Sequence, residues 1–234
     1  MILLIDGDTP AYAAAAVCED TDEQNAIWEA NKTIERLLVA TGTQSFKLFL
    51  TGTDNFRYAI FPEYKANRIK TPRPKHLAAV RESLVRSYGA IISQGCEADD
   101  LLGIEQVAAS THGTEETMIC SIDKDLDQIP GWHYHPGIKR QGVWIREPRR
   151  YLVTPAEALH FFYYQLLIGD STDGIKGAVG IGKAKAEKIL EGCTTAEDYY
   201  HATSIFFSCE EELLLNARCL YIWQKENDTW MPPS

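Results

Sequence analysis

Residues 93–127 read SQGCEADDLLGIEQVAASTHGTEETMICSIDKDLD, and their order decides the architecture. An acidic cluster, Glu97, Asp99 and Asp100, opens a helical pattern. A short apolar run follows, and Asp123, Asp125 and Asp127 come straight after it. The start of the chain uses the same device, Met1-Ile-Leu-Leu-Ile5 running into Asp6 and Asp8. Asp170 and Asp173 repeat it further on. Carboxylates this dense repel one another unless something positive lies between them. Oxygen donors without neighbouring His or Cys suit Mg²⁺ or Mn²⁺ better than zinc. The helix dipole alone would explain Asp99 and Asp100 in a first turn. It does not explain why Glu97 and the acids at 123–127 accompany them.

Outward from this stretch the apolar spacing alternates between two periods. Short apolar runs at 2–5, 46–50, 90–92 and 117–122 predict buried strands, while apolar residues at helical spacing predict helices over 24–40, 75–87 and 98–109. Strand, helix and strand in succession make parallel crossover units, so the fold class is α/β with a mostly parallel sheet. Ligands of such sheets bind off the carboxyl ends of the strands. Asp6 and Asp123 both stand at such ends. Residues 51–75 predict an exposed loop, and the aromatic–polar alternation over 132–153 predicts a small antiparallel hairpin. Trp132, Tyr134 and Trp144 would form that hairpin's own apolar face, and His133 and His135 would pack there rather than bind metal. From Thr154-Pro155 onward the pattern is helical, over 155–168, 183–191, 195–202 and 210–226, with a frayed Pro-rich tail. A boundary near 155 divides the chain into 1–154 and 155–234.

The 234 residues carry a net charge of −10, which at first disfavours a nucleic-acid partner. The distribution says otherwise. Between Arg57 and Arg86 stand eight basic residues (Arg57, Lys65, Arg68, Lys70, Arg73, Lys75, Arg81, Arg86) against two acidic ones. A basic face that binds phosphate can coexist with an acidic total. Six cysteines without CxxC spacing predict reduced thiols. No run is apolar enough to span a membrane, and no basic region precedes the N-terminal apolar residues, so a cytoplasmic protein is expected. Gly177-Ala-Val-Gly180-Ile-Gly182-Lys183-Ala-Lys185 reads as the hairpin of a helix-hairpin-helix clamp. Its glycines let backbone approach a phosphate closely, and Lys183 and Lys185 add charge at a helix start. The spacing is not that of a P-loop.

Taken in order, Ile5-Asp6-Gly7, Phe56-Arg57, Tyr64-Lys65-Ala66-Asn67-Arg68, Glu97-Ala-Asp99-Asp100, Asp123-Lys-Asp125, Gly169-Asp170-Ser-Thr-Asp173-Gly and the Gly177–Lys183 hairpin resemble the phage and bacterial 5′-nuclease family. The resemblance covers residues 1–190. It implies a PIN-like sheet with a helical clamp, in a phage-encoded 5′→3′ exonuclease or flap endonuclease acting in replication. Asp6, Glu97, Asp99, Asp100, Asp123, Asp125, Asp170 and Asp173 would hold two Mg²⁺ or Mn²⁺ ions, with Asp123 central to catalysis, and a K⁺ ion would sit at the hairpin. Lys65 and Arg68 would grip the scissile phosphate. Tyr64 would stack on a base, with packing beside Phe61 as the competing reading. Arg57 and the Gly177, Gly180, Gly182, Lys183 and Lys185 hairpin would bind nucleic acid. The expected partners are DNA with 5′ ends, flaps or nicks, or an RNA–DNA hybrid, met by a monomer. The alternatives are removal of RNA primers, or a DNA-end binder without catalysis. Two departures stand out. The second strand lacks a terminal carboxylate, Asp54 being the nearest candidate. Only 28 residues separate Arg68 from Glu97, too few for a full helical arch.

Overall fold

The computed structural model describes residues 1–70, 72–113 and 115–233, without the side chains of residues 69, 70 and 112. Lys70 of the basic run therefore lies outside the described side chains. Six strands form the central sheet, in the order β3 (Ile91–Ile92), β2 (Phe46–Leu50), β1 (Ile2–Asp6), β4 (Thr117–Cys120), β5 (Gly131–His135) and β8 (Arg149–Val153). All neighbours pair in parallel except β5 and β8. Alternation along β1 explains its two faces. Leu3 and Ile5 point into one apolar cluster with Leu48, Leu50, Met118 and Cys120, under α1 (Asp8–Val17), α2 (Glu23–Thr41) and α4 (Leu77–Tyr88). Leu4, Phe49 and Ile119 point the other way, against Ala98 and Leu102 of α5 (Ala98–His112).

A further cluster gathers α6 (Pro155–Ile168), α7 (Lys183–Leu190), α8 (Ala196–Ser204) and α9 (Glu210–Leu220) around Phe162, Tyr163 and Leu166. Thr154 and Glu157 close a reciprocal capping box at the start of α6, as Thr-Pro predicted. The C-terminal part is stitched into the sheet region. Ile222 fills the α5 face, and Gln128 donates to Leu220 O.

Several expectations need correction. Helix α1 was not foreseen; its Ala-rich sequence lacks the polar–apolar contrast that marks an amphipathic helix, and Ala11, Ala14 and Ala15 are buried because they let neighbouring helices approach closely. Residues 132–153 do not make one hairpin. β5 and β8 extend the main sheet, and only β6 (Ile138–Arg140) with β7 (Val143–Arg146) forms a separate ribbon. Trp132 and Tyr134 accordingly pack on the main core, and His133 and His135 are buried sheet residues. Helix α9 stops at Leu220, and the tail is not frayed: Trp230 is buried against Phe162. Within 51–75 a short helix, α3 (Phe56–Ile60), and a 3₁₀ turn at Ala66–Lys70 take the place of open loop.

The turn after α6 depends on two glycines back to back. Gly177 has φ +65°, and a Cβ there would lie 2.3 Å from Gly169 N. Gly182, by contrast, has an ordinary φ of −100° and open space around it. Gly177→Ala is expected to cost about 2 kcal/mol or more from strain and overpacking, whereas Gly182→Ala, at the N-cap of α7, should lose only the weaker N-cap preference, about 0.5 kcal/mol. Urea denaturation of the two variants checks the contrast.

Candidate active site: a carboxylate cleft

Parallel strands share a direction, so the ends of β1 and β4 open on one edge of the sheet. A cleft of about 2270 Å³ lies there, lined by Asp6, Asp8, Glu97, Asp99, Asp123, Asp125, Asp170 and Asp173 among others. Asp6 is fixed by local donors: Thr9 Oγ1 (2.8 Å) and Ser121 Oγ (2.9 Å) donate to one oxygen, the backbone N–H of Asp8 to the other. Asp123 caps the 3₁₀ turn that follows β4, accepting from Asp125 N at 2.9 Å. Glu97 and Asp99 come from the start of α5. Asp170 and Asp173 come from the loop after α6, where Asp170 and Ile175 exchange both backbone hydrogen bonds and Thr172 N donates to Asp170 Oδ1.

The Tyr64-Lys65-x-x-Arg68 segment ties these two sources together. Lys65 Nζ lies 2.5 Å from Glu97 Oε1 and 3.6 Å from Asp173 Oδ2. Arg68 Nη2 lies 2.6 Å from Asp173 Oδ1. The Tyr64 hydroxyl lies 3.0 Å from an oxygen of Glu97 and from one of Asp173, with its single proton shared between them. Lys65 holds a left-handed φ of 55°, a conformation that non-glycine residues rarely adopt, and its N–H donates to Asp173 O at 3.0 Å. Strain of this kind collects where surrounding structure fixes a functional side chain.

The electrostatics are those of crowded acids. Burial raises the Asp99 pKa well above its ordinary value, and Asp6, Asp123 and Glu97 push it the same way against Lys65 alone. Burial also raises Asp6, offset by its bonds to Thr9 and Ser121. Asp125 is pushed up to about 7 by burial and by Asp123, against the pull of Lys124. Asp173 is raised by burial despite Lys65 and Arg68. Among the described residues no three of these side chains close into a finished coordination group; most are turned onto local donors instead. The donor set nonetheless fits a hard divalent cation. It is all oxygen, it faces a roomy cleft, and its charges are mutually unfavourable until a cation offsets them.

Three expected site residues have other roles. Asp100 is fully buried and has no access to the cleft. Arg57 grips it through two bonds of 2.6 and 2.9 Å, and the backbone N–H groups of Trp223 and Glu97 take up its remaining lone pairs. Arg57 is buried with it, donating also to Cys219 O and Tyr221 O, so neither side chain can reach an ion or a phosphate. Tyr64 is buried too and cannot stack on a base; it holds the two carboxylates. The end of β2 itself carries no carboxylate. Asp54 lines the cleft from the loop after β2 while accepting from Gly95 N, and Asp8 closes the end of β2, accepting from Thr51 N and pairing with Arg81. Arg81 was legible only as one charge in a basic run. The hairpin glycines Gly177 and Gly180 have left-handed φ, Gly182 caps α7, and Lys183 lines the cleft while Lys185 lies over Phe206.

Comparison with known proteins identifies relatives of this chain. The model of the 5′-3′ exonuclease N-terminal resolvase-like domain matches residues 1–135. DNA polymerase I of Bacillus caldotenax is 31% identical over 214 residues, covering 84% of this chain and 24% of that protein. The chain thus spans about a quarter of the DNA polymerase I relatives it matches. The exodeoxyribonuclease of Enterobacteria phage T3 is 27% identical over 199 residues, 77% of this chain and 63% of the relative. The T5 5′-exonuclease with bound divalent metal ions (zinc) superposes with a TM-score of 0.61 at 19% identity, over 94% of this chain and 86% of that one. A bacteriophage T5 flap endonuclease complex with DNA and metal ions gives 0.60 at 17%, over 94% and 85%. These two structures speak to the shared fold.

Breaking the buried pair leaves Asp100 uncompensated, so Arg57→Met should destabilise the fold by roughly 3–5 kcal/mol; equilibrium denaturation measures it, and a loss under 1 kcal/mol would contradict the assignment. Asp125 supplies a pH test. Unfolded, it releases its proton near pH 4; folded, it holds it to about 7. The native state then binds more protons across that window, and stability falls as pH rises through it. Melting in EDTA should drop from pH 5 to pH 7.5, and Asp125→Asn should flatten the drop.

Proposed function

This chain belongs to the 5′-3′ exonuclease family, and on that premise we propose that it is a divalent-metal-dependent nuclease hydrolysing phosphodiesters at 5′ ends, flaps or nicks of DNA during replication. The single observation that carries the reading is the convergence of Asp6, Glu97, Asp99, Asp123, Asp125, Asp170 and Asp173 on one cleft beside Lys65 and Arg68. Bound Mg²⁺ or Mn²⁺ ions would supply an activated water and offset charge on the leaving oxygen. Asp6, Glu97, Asp99, Asp123, Asp125, Asp170 and Asp173 are the residues proposed to hold them.

The chain's own residues do the rest. Lys65 and Arg68 present ammonium and guanidinium donors at the mouth of the cleft, where they can bind a phosphate as its charge develops. Both are paired with Glu97 or Asp173, so a phosphate must compete for them. Tyr64 stays a neutral hydroxyl, because burial and Glu97 keep its pKa raised. It therefore steadies Glu97 and Asp173 while the cations exchange partners. Gly177 to Lys185 are proposed to hold duplex phosphates without reading bases, fixing the distance from the duplex to the cleft. Among the described residues no helical arch stands between Arg68 and α4, which supports direct access by duplex ends.

The test is cleavage of 5′-labelled duplex, flap, single-stranded and RNA–DNA hybrid substrates with Mg²⁺ or EDTA. Metal-dependent release of label from duplex or flap is expected. Lys65→Ala should slow cleavage by roughly 10²–10³, and Asp123→Ala should abolish it with DNA binding nearly intact. Binding without cleavage by the wild type would turn the reading toward a non-catalytic end binder. A preference for the hybrid would point to primer removal.

A further inference from the structure

The β6–β7 ribbon is not used by the chemistry above, and its composition runs against the rest of the chain. Residues 138–150 carry Lys139, Arg140, Arg146, Arg149 and Arg150 against Glu147 alone, in a protein of net charge −10. All five cations are exposed. Among the described residues none of them pairs with a carboxylate. Four of the five lie against rings instead, Arg140 being the exception. Lys139 sits over Trp144 at 5.1 Å, Arg149 over Tyr151 at 4.5 Å and Arg150 over Trp132 at 4.3 Å. Arg146 reaches His135 at 3.3 Å. Lys139, Arg140 and Arg146 stand on the ribbon, with Arg149 and Arg150 at the start of β8; uncompensated like charges this close repel, so their arrangement calls for an anionic partner.

Topology fixes where the ribbon stands. β5 runs parallel to β4, so its end at His135 lies on the same edge of the sheet as Asp123. The ribbon leaves the sheet there, between β5 and β8. The neck is tied to the catalytic side, since Tyr151 donates to Asp127 at 2.7 Å, two residues beyond Asp125. Its turn is tight, with positive φ at both Gln141 and Gly142. The major groove of B-DNA, about 12 Å wide, admits a two-stranded ribbon. Val143 and Ile145, exposed by 65% and 63%, add apolar surface along β7.

We propose that this ribbon is a second duplex-binding element, gripping backbone phosphates of the substrate's double-stranded arm on the side of the cleft fed by β5. It acts on backbone phosphates rather than base edges, since Lys139 is stacked on Trp144 and Arg146 is bonded to His135. The inference rests on the nuclease reading for its substrate, but not for its test.

The test measures binding in EDTA, without turnover. The Lys139→Ala/Arg140→Ala/Arg146→Ala triple variant should bind a blunt duplex roughly tenfold or more weakly near 0.1 M salt. The slope of log K against log salt should fall by about 2–3. Affinity for an unstructured single strand should stay within about twofold, and thermal melting should be unchanged. A Lys139→Arg/Arg146→Lys variant should bind as wild type. Unchanged duplex affinity and slope would overturn the proposal, as would equal losses on duplex and single strand. If the triple variant melts early, the Lys139→Gln/Arg146→Gln variant carries the same comparison. Failure of the wild type to cleave any substrate would count against the nuclease reading and leave these binding results standing.

Discussion

Crowding of negative charge at one edge of a parallel sheet is the constraint to which the rest of the structure answers. Two carboxylates 4 Å apart cost about 1 kcal/mol in water and about 4 kcal/mol at the effective dielectric of a protein surface. The cleft gathers eight of them from the ends of β1 and β4, the start of α5 and the turn after α6. The edge of the sheet is therefore a net cost to folding, and stability has to come from elsewhere. It comes from the two apolar faces of the sheet, from the helical cluster around Phe162, and from the Arg57–Asp100 pair that locks the C-terminal strap to α5.

Glu97, Asp99 and Asp100 show how the fold separates structural from functional charge within four residues. Asp100 turns inward to a guanidinium that it never leaves, with every lone pair used. Glu97 and Asp99 face the cleft, and Glu97 is met by an ammonium on a strained backbone. The first arrangement is stable because it is closed. The second is open to exchange, because a phosphate can replace a carboxylate on Lys65 with no loss of charge pairing. Tyr64 lies between the two, buried like a core residue yet bonded to the exchangeable acids.

That distinction is where sequence reading met its limit. The alternating apolar periods, the Thr154 cap and the order of acidic clusters were legible, because each is a local pattern with one physical cause. Asp99 and Asp100 are not separable this way. Adjacent helix residues point about 100° apart, and which of them faces solvent depends on Arg57, 43 positions upstream. The Asp8–Arg81 pair spans 73 positions and was invisible for the same reason. Alternation over 132–153 correctly announced strands but could not name their partners, since β5 and β8 pair with each other in the main sheet while the residues between them fold on themselves. Helix α1 escaped because alanine favours helix without marking a face.

The charge map closes the argument. Cations line the cleft beside its acids, Lys65 and Arg68 at one side and Lys183 on α7 at another, and the β6–β7 ribbon adds more beyond β5. Such a rim attracts a polyanion along its whole length, while the floor repels the one phosphate that must enter. On the proposed reading, then, affinity for the duplex and admission of the scissile bond are set by different residues. Salt weakens the first, by screening the exposed rim. The second depends on whatever cation offsets the buried floor, and that interaction is screened far less. On this reading a chain with an acidic total can still serve a nucleic acid, because exposed cations on the ribbon and beside the cleft offer the duplex a basic face.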